Sequence, residues 1–324
     1  MKGRLQAEGS RLEMDVLTVA VAITVMGIMI ALGAVVSMKV EVNQQAKQAL
    51  VLIVLNIAVP SVILNGVFNT DFSDDLLFQI GVVFAISVVF HLVSLVAVLF
   101  LARVIGFRSM FAKKMAILGA LGNTGFIGIP LCYTIFGPTG GLLAAIFDAG
   151  LDIVVFSVAV YLLQSGAGFQ LRQLKAVLNL PLAAVVVGLS SAFIGLEPPA
   201  VVRQLAELLS GLAAPLAMLY IGILLHQLIQ RTGFRVYPQI WFPVSLRLLL
   251  IPVVAVMVLP LLQLPELPQN VVVISVSMPT FMLAAILFSR YTEDEDTAVM
   301  TICLSTILSL ATIPLIAFLA SFVM

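Results

Sequence analysis

Long apolar runs alternate with short polar breaks along the whole chain. A helix needs about 20 apolar residues to cross a hydrocarbon layer of about 30 Å. Windows of that kind fall at 14–38, 47–68, 76–101, 112–136, 139–164, 176–195, 199–228, 238–262, 269–290 and 297–323. Between them lie turn-forming or polar stretches such as "KVEVNQ", "NTDFSDD", "RVIGFRS", "GLEPP" and "QLPELPQ", with "FGPTGG" the only punctuation between the fourth and fifth windows. The pattern predicts an all-α polytopic membrane protein with ten transmembrane helices.

Composition agrees. Of 324 residues, 62% are hydrophobic and only 10% charged, and mean hydropathy is +1.20; a soluble domain carries about 25% charged residues. The formal net charge of zero gives no support to nucleic-acid binding. Cys132 and Cys303 both sit in apolar runs and read as small buried hydrophobes. There is no Cys-x-x-Cys and no His-Glu-x-x-His, so no catalytic or metal motif and no cofactor is expected. Residues 1–13 form a polar tail of mixed charge, and the run from Met14 is too long for a signal-peptide core, so it reads as a retained first span.

Basic residues set the expected orientation. The side that holds the first loop carries Lys39, Lys47, Arg103, Arg108, Lys113, Lys114, Arg172, Lys175, Arg231, Arg235 and Arg290. The other side carries Lys2, Arg4, Arg11 and Arg203. The first side is therefore expected to face the cytoplasm, with both termini outside the cytoplasmic membrane.

Internal similarity subdivides the chain. "AVPSVIL" around Pro60 and "AAPLAML" around Pro215 share the form Ala-x-Pro-x-x-x-Leu. From Pro60 to the interruption at Gly122 is 62 residues, and from Pro215 to the interruption at Pro279 is 64. The shared spacing predicts two five-helix repeats, residues 14–164 and 176–324, joined by a cytoplasmic linker at 165–175. With five spans each, the second copy enters from the opposite side, as in inverted-repeat secondary transporters.

The interruption in the fourth window reads "LGNTGFIGIP", residues 121–130. Irregular backbone at membrane depth is tolerated only where protein buries it or where it lines a wet cavity. A helix broken at mid-membrane offers N–H groups at one half-helix start and C=O groups at the other half's end, which bind anions and cations respectively. Two such breaks, crossing, make a substrate site nearly free of charged side chains. Gly122, Asn123, Thr124, Gly125 and Pro130 from the first break, with Met278, Pro279 and Thr280 from the second, are the candidate substrate-binding residues.

"GNTGFIGIPL", followed by "FG" and later by "MPT", resembles the auxin efflux carrier family, which includes bacterial organic-anion permeases. The resemblance covers essentially the whole chain. It implies a fold like that of bile-acid sodium symporters, with crossing fourth and ninth helices, elevator-like movement of a transport domain against a scaffold, and a homodimer through that scaffold. Plant members usually have Pro before the Asn, where this chain has Gly122. The plant carriers' long cytosolic loop is also missing, which argues against auxin itself as the physiological substrate.

Asp148 and Asp152, four apart in "FDAGLDIVVF", share a helix face in the fifth window. Acids in a membrane helix are costly and usually functional, so they are candidates to carry the coupling ion, H+ or Na+. His91 is a third candidate, against the blander reading of a packed imidazole. Arg247 in "SLRLLLIP" is a candidate carboxylate clamp, against a side chain that snorkels to the surface. Asn56 and Asn65 flank Pro60 and are expected to serve its freed carbonyl. Glu293 to Asp296 read as a solvated helix start. The leading expectation is a secondary carrier of small organic anions (mono- or dicarboxylates, or auxin-like acids). Its alternatives are a sodium–proton antiporter or cation-coupled symporter of related fold, a channel or sensor, and an intramembrane aspartyl protease. The protease fits worst, because its two acids belong on facing helices.

Overall fold

The structure is a computed structural model and describes residues 16–70, 74–164, 178–232, 237–292 and 294–324. The N-terminal tail, the expected linker 165–175, Arg235 and Glu293 lie outside the described residues, as does the side chain of Arg231.

The described chain is helical throughout, apart from one isolated backbone bridge. Its helices are α1 Val16–Lys39, α2 Gln44–Phe68, α3 Asp74–Val104, α4 Ser109–Ala120, α5 Thr124–Leu163, α6 Leu180–Phe193, α7 Ala200–Ser210, α8 Ala213–Thr232, α9 Pro238–Leu262, α10 Glu266–Val276, α11 Leu283–Tyr291 and α12 Glu295–Val323. Among the described residues, seven segments are long and apolar enough to cross a membrane. Apolar side chains such as Leu17, Val21, Ile28 and Leu32 on α1, and Val89, Val93, Val96 and Phe100 on α3, face outward. In water that would be costly; in lipid it is the expected surface. This is a multi-pass membrane protein.

Ten windows become seven qualifying segments because two merge in α5, the ninth is broken between α10 and α11, and the sixth holds only the 14-residue α6 among the described residues. α4 stops at Ala120 and α10 at Val276, which leaves short pieces. α5 has 40 residues, and a straight helix of that length would reach about 60 Å, twice a bilayer core. It folds back at Gly137, whose φ of 72° suits a residue without Cβ, with Pro138 behind it. Two expected spans therefore run on as one helical element.

Proline shapes three further places. Turns of π-helix occupy Val54–Ala58, Thr124–Gly128 and Leu246–Leu250, and Pro60, Pro130 and Pro252 each follow as the second residue of the α-helix beyond. A proline cannot donate to the carbonyl four residues back, and its ring clashes there. Widening the preceding turn to i→i+5 bonds, as in Ile129 N–H to Thr124 O, relieves both problems. The freed carbonyl near Pro60 is thus handled by backbone geometry, which corrects the role expected for Asn65. Its amide donates to Tyr133 Oη at 3.2 Å.

Small residues set the closest helix contacts. A Cβ on Gly33 of α1 would fall 2.1 Å from Leu219 O, and one on Gly222 of α8 would fall 1.9 Å from Ile30 O. α1 and α8 therefore touch backbone to backbone, the packing that membrane helices use where burial of apolar surface supplies no drive. α2 packs on α6 and α5, and Gly188 of α6 leaves room for Val67 of α2.

Candidate functional site

The two breaks meet. Gly122 and Thr280 form an antiparallel bridge. Asn123 N–H donates to Pro279 O at 2.7 Å, and Phe281 N–H donates to Leu121 O at 3.2 Å. Each interrupted chain supplies the backbone partner that the other lost on leaving its helix. Thr280 closes the joint: its Oγ1 donates to Leu118 O at 3.0 Å, and its N–H donates to Ser305 Oγ of α12 at 3.1 Å. Met278 is buried against Gly128.

Four helix ends converge on this joint, and they sort by sign. The starts of α5 and α11, which carry the partial positive charge of their dipoles, open on one cavity of about 620 Å³. Gly122, Asn123, Thr124, Gly125 and Phe126 line it from the first break, and Phe281, Met282 and Leu283 from the second. The far end of the lining is formed by Gln44, Lys47, Gln227, Glu295 and Asp296, at helix ends on the side of the first loop. Lys47 Nζ is held there by Gln227 Oε1 at 2.9 Å.

Asn123 is only 4% exposed, and its amide nitrogen has no hydrogen-bond partner. A buried donor without a partner costs about 1–3 kcal/mol, and this one lies on the cavity wall, where it is free to donate to a group inside. The Asp148 carboxylate lies over the first turn of α5. It accepts from Thr124 Oγ1 at 2.5 Å, and its Oδ2 is 2.8 Å from the point where a Cβ on Gly125 would be. Gly125 leaves the space that brings a carboxylate onto the positive end of the half-helix. Asp152, one turn along the same face, also lines the cavity and accepts from Asn179 Nδ2 at 2.6 Å. Asn179 in turn caps α6 by accepting from Leu182 N–H.

The negative ends point elsewhere. Arg247 is wholly buried. Its Nε donates to Met278 O at 2.7 Å, Nη1 to Ala120 O at 2.9 Å and Nη2 to Val276 O at 3.0 Å. These are the carbonyls at the ends of α4 and α10. Neither expectation for Arg247 describes this geometry: the group does not reach a surface, and its guanidinium is spent on carbonyls rather than open to a carboxylate. It also accounts for Gly122, since a Cβ there would lie 2.1 Å from Arg247 Nη2.

The remaining candidates fall outside the cavity lining. Pro130 acts through the π-turn it imposes. His91 stacks edge-on with Phe90 and against Phe147, and its Nδ1 meets Ser87 O at 2.7 Å. That is the packed-imidazole arrangement, behind the aspartate helix rather than in the cavity. Sequence reasoning passed over Asn179, Ser305 and Lys47 as site residues. Asn179 was findable, because an Asn just before Leu-Pro and an apolar run is a helix-start signal. Asn56, expected to serve the carbonyl freed by Pro60, lines the cavity instead.

Residues 16–317 match the family described as membrane transport protein. An uncharacterized transporter of Methanothermobacter thermautotrophicus is 29% identical over 289 residues, 89% of this chain and 94% of that protein. A protein of Rhizobium meliloti, named "Putative malonate transporter", is 28% identical over 214 residues, 62% of this chain and 65% of that one. An uncharacterized transporter of Methanocaldococcus jannaschii is 24% identical over 270 residues, 81% of this chain and 86% of that one.

Proposed function

Because the chain belongs to the membrane transport protein family, that of the auxin efflux carriers, and is a transporter rather than an enzyme, we propose that it is a secondary carrier of small organic anions, in which the crossing binds the carboxylate and Asp148 and Asp152 carry a coupling proton. The carrying observation is the pair of half-helix starts opening on one cavity beside the unpartnered amide of Asn123. Helix starts favour anions, and an amide N–H adds a directed donor.

The charge of the lining supports proton coupling. Among the described residues, Asp148, Asp152, Glu295 and Asp296 face the cavity against the single ammonium of Lys47, with Tyr220 of α8 and Cys303 of α12 as the other titratable groups on its wall. A lone anion entering such a space meets like charge. Asp148 already lies where a substrate carboxylate would bind. A proton on Asp148 removes its charge and its claim on the helix start together, so anion and proton enter as a pair. Inward movement of an anion alone opposes a negative-inside potential by about 2.3 kcal/mol per charge per 100 mV; each co-transported proton cancels that term for one charge, so a dianion needs two, one for each aspartate. The malonate assignment of the Rhizobium relative makes dicarboxylates the first substrates to try.

The proposed architecture is ten spans in two inverted repeats, with breaks in the fourth (α4 into α5) and ninth (α10 and α11). Three observations support it. α1 packs on α8, and α2 on α6, and exchange of the two halves turns the first pair into the second. The bridge between the breaks reads alike from either strand. In this reading α1, α2 and α6–α8 form the scaffold, also the dimer contact, and the rest moves as an elevator.

A thermal-shift screen of purified protein against mono- and dicarboxylates tests this, at two pH values and with and without Na+. The reading requires at least one carboxylate to raise the unfolding midpoint, more at the lower pH, and Asn123→Ala to lose that shift. A carboxylate shift retained in full by Asn123→Ala would move the site elsewhere.

A further inference from the structure

We propose that Arg247 is a built-in cation: its guanidinium fills the carbonyl site at the crossing where a carrier of this architecture would seat a sodium ion, so the crossing is complete without sodium. In discontinuous membrane helices, unwound carbonyls and half-helix C-terminal ends are the groups that coordinate a coupling cation. Here those groups are the carbonyls of Ala120, Val276 and Met278, and all three accept from one guanidinium at 2.7–3.0 Å. A buried arginine normally answers a carboxylate. Among the described residues Arg247 makes no ion pair, so its counter-charge is the summed negative ends of α4 and α10.

The sequence makes room for this in two ways. Gly122 has no Cβ, and the guanidinium occupies that space. Arg247 also sits in the π-turn Leu246–Leu250 that precedes Pro252. One extra residue in a turn redirects the side chains before it by about 100° relative to those after it. A planar fork with five donors can hold three carbonyls at once, which an ammonium on the same stem cannot match in geometry. The guanidinium also differs from a bound ion in that it cannot leave. The two ends of the crossing then play different parts: a permanent cation fixes the negative ends, and the positive ends stay available to the cavity.

The test reads the stability of the full chain in detergent with no carboxylate present, so it succeeds or fails independently of the anion-carrier reading. Unfolding midpoints are compared in sodium chloride and choline chloride at equal ionic strength. The wild type should unfold at the same temperature in both. Arg247→Ala should unfold at a lower temperature and regain part of the loss in millimolar guanidinium or methylguanidinium chloride, but not in choline chloride. Arg247→Lys should fall between the two. A wild-type midpoint that rises in sodium would overturn the proposal, as would an Arg247→Ala midpoint equal to the wild type's. If Arg247→Ala does not fold, the sodium comparison on the wild type and the order of Arg247→Lys decide it.

Discussion

Asn123 and the glycines around it do different work at residue scale. The amide of Asn123 is a buried side-chain donor at the joint with no partner of its own. A hydrogen bond to a charged ligand contributes about 1.5–3 kcal/mol, so Asn123→Ala should weaken carboxylate binding roughly 10- to 100-fold. The variant should still unfold cooperatively near the wild-type temperature, because the deleted group holds nothing in the resting protein. Gly122→Ala should do the reverse. Its methyl would fall on Arg247 Nη2, and overpacking of this kind costs about 1–3 kcal/mol, read as a lower midpoint in a thermal melt. "GNTG" showed that this stretch is not an ordinary helix. It could not show why Gly122 is glycine, because the reason is a side chain 125 positions further on. The setting of Arg247 is hidden on the same ground: its partners are carbonyls from two other elements, and carbonyls leave no mark in a sequence.

Pro130 governs the first break at the scale of elements. It imposes the π-turn Thr124–Gly128, which sets the direction in which Asn123 and Thr124 point. Without the proline, that turn can return to α-helical bonding and rotate everything before it by about 100°. Pro130→Ala should therefore cost carboxylate affinity at least as much as Asn123→Ala, measured by titration calorimetry, while helix content by circular dichroism is kept. At the α1–α8 contact the expectation is purely one of stability. A Cβ at Gly222 would meet Ile30 O, so Gly222→Ala should lower thermal stability by about 1–3 kcal/mol without changing affinity in the protein that remains folded. Proline and glycine announced the interruptions in advance. The widened turns were not legible, since a proline signals only that α-helical bonding fails, not which bonding replaces it. The fold-back at Gly137 was legible only as "FGPTGG", too short to mark two spans by polarity alone.

For the whole molecule, apolar runs of about 20 residues identify the class, because lipid imposes one rule on every span. They overstate the number of continuous helices, because a window of average hydropathy passes straight over a break made of Gly, Pro and Thr. The Asp152–Asn179 bond joins the proposed moving part to the helix that begins the second half of the scaffold. Asp152→Asn in proteoliposomes should remove gradient-driven accumulation of labelled malonate but keep its exchange across the membrane.

The measurement closest to the central claim is carboxylate affinity as a function of pH. Binding of malonate, or of whichever carboxylate the thermal screen selects, is titrated against wild type and Asp148→Asn, at pH values above the ligand's own last ionisation. If Asp148 and substrate compete for the start of α5, affinity in the wild type rises as pH falls, because protonation withdraws the resident carboxylate. Asp148→Asn then binds at every pH with an affinity at least equal to the best of the wild type, and its pH dependence is lost. A wild-type affinity that does not change with pH, or a pH response that survives intact in Asp148→Asn, would contradict the account.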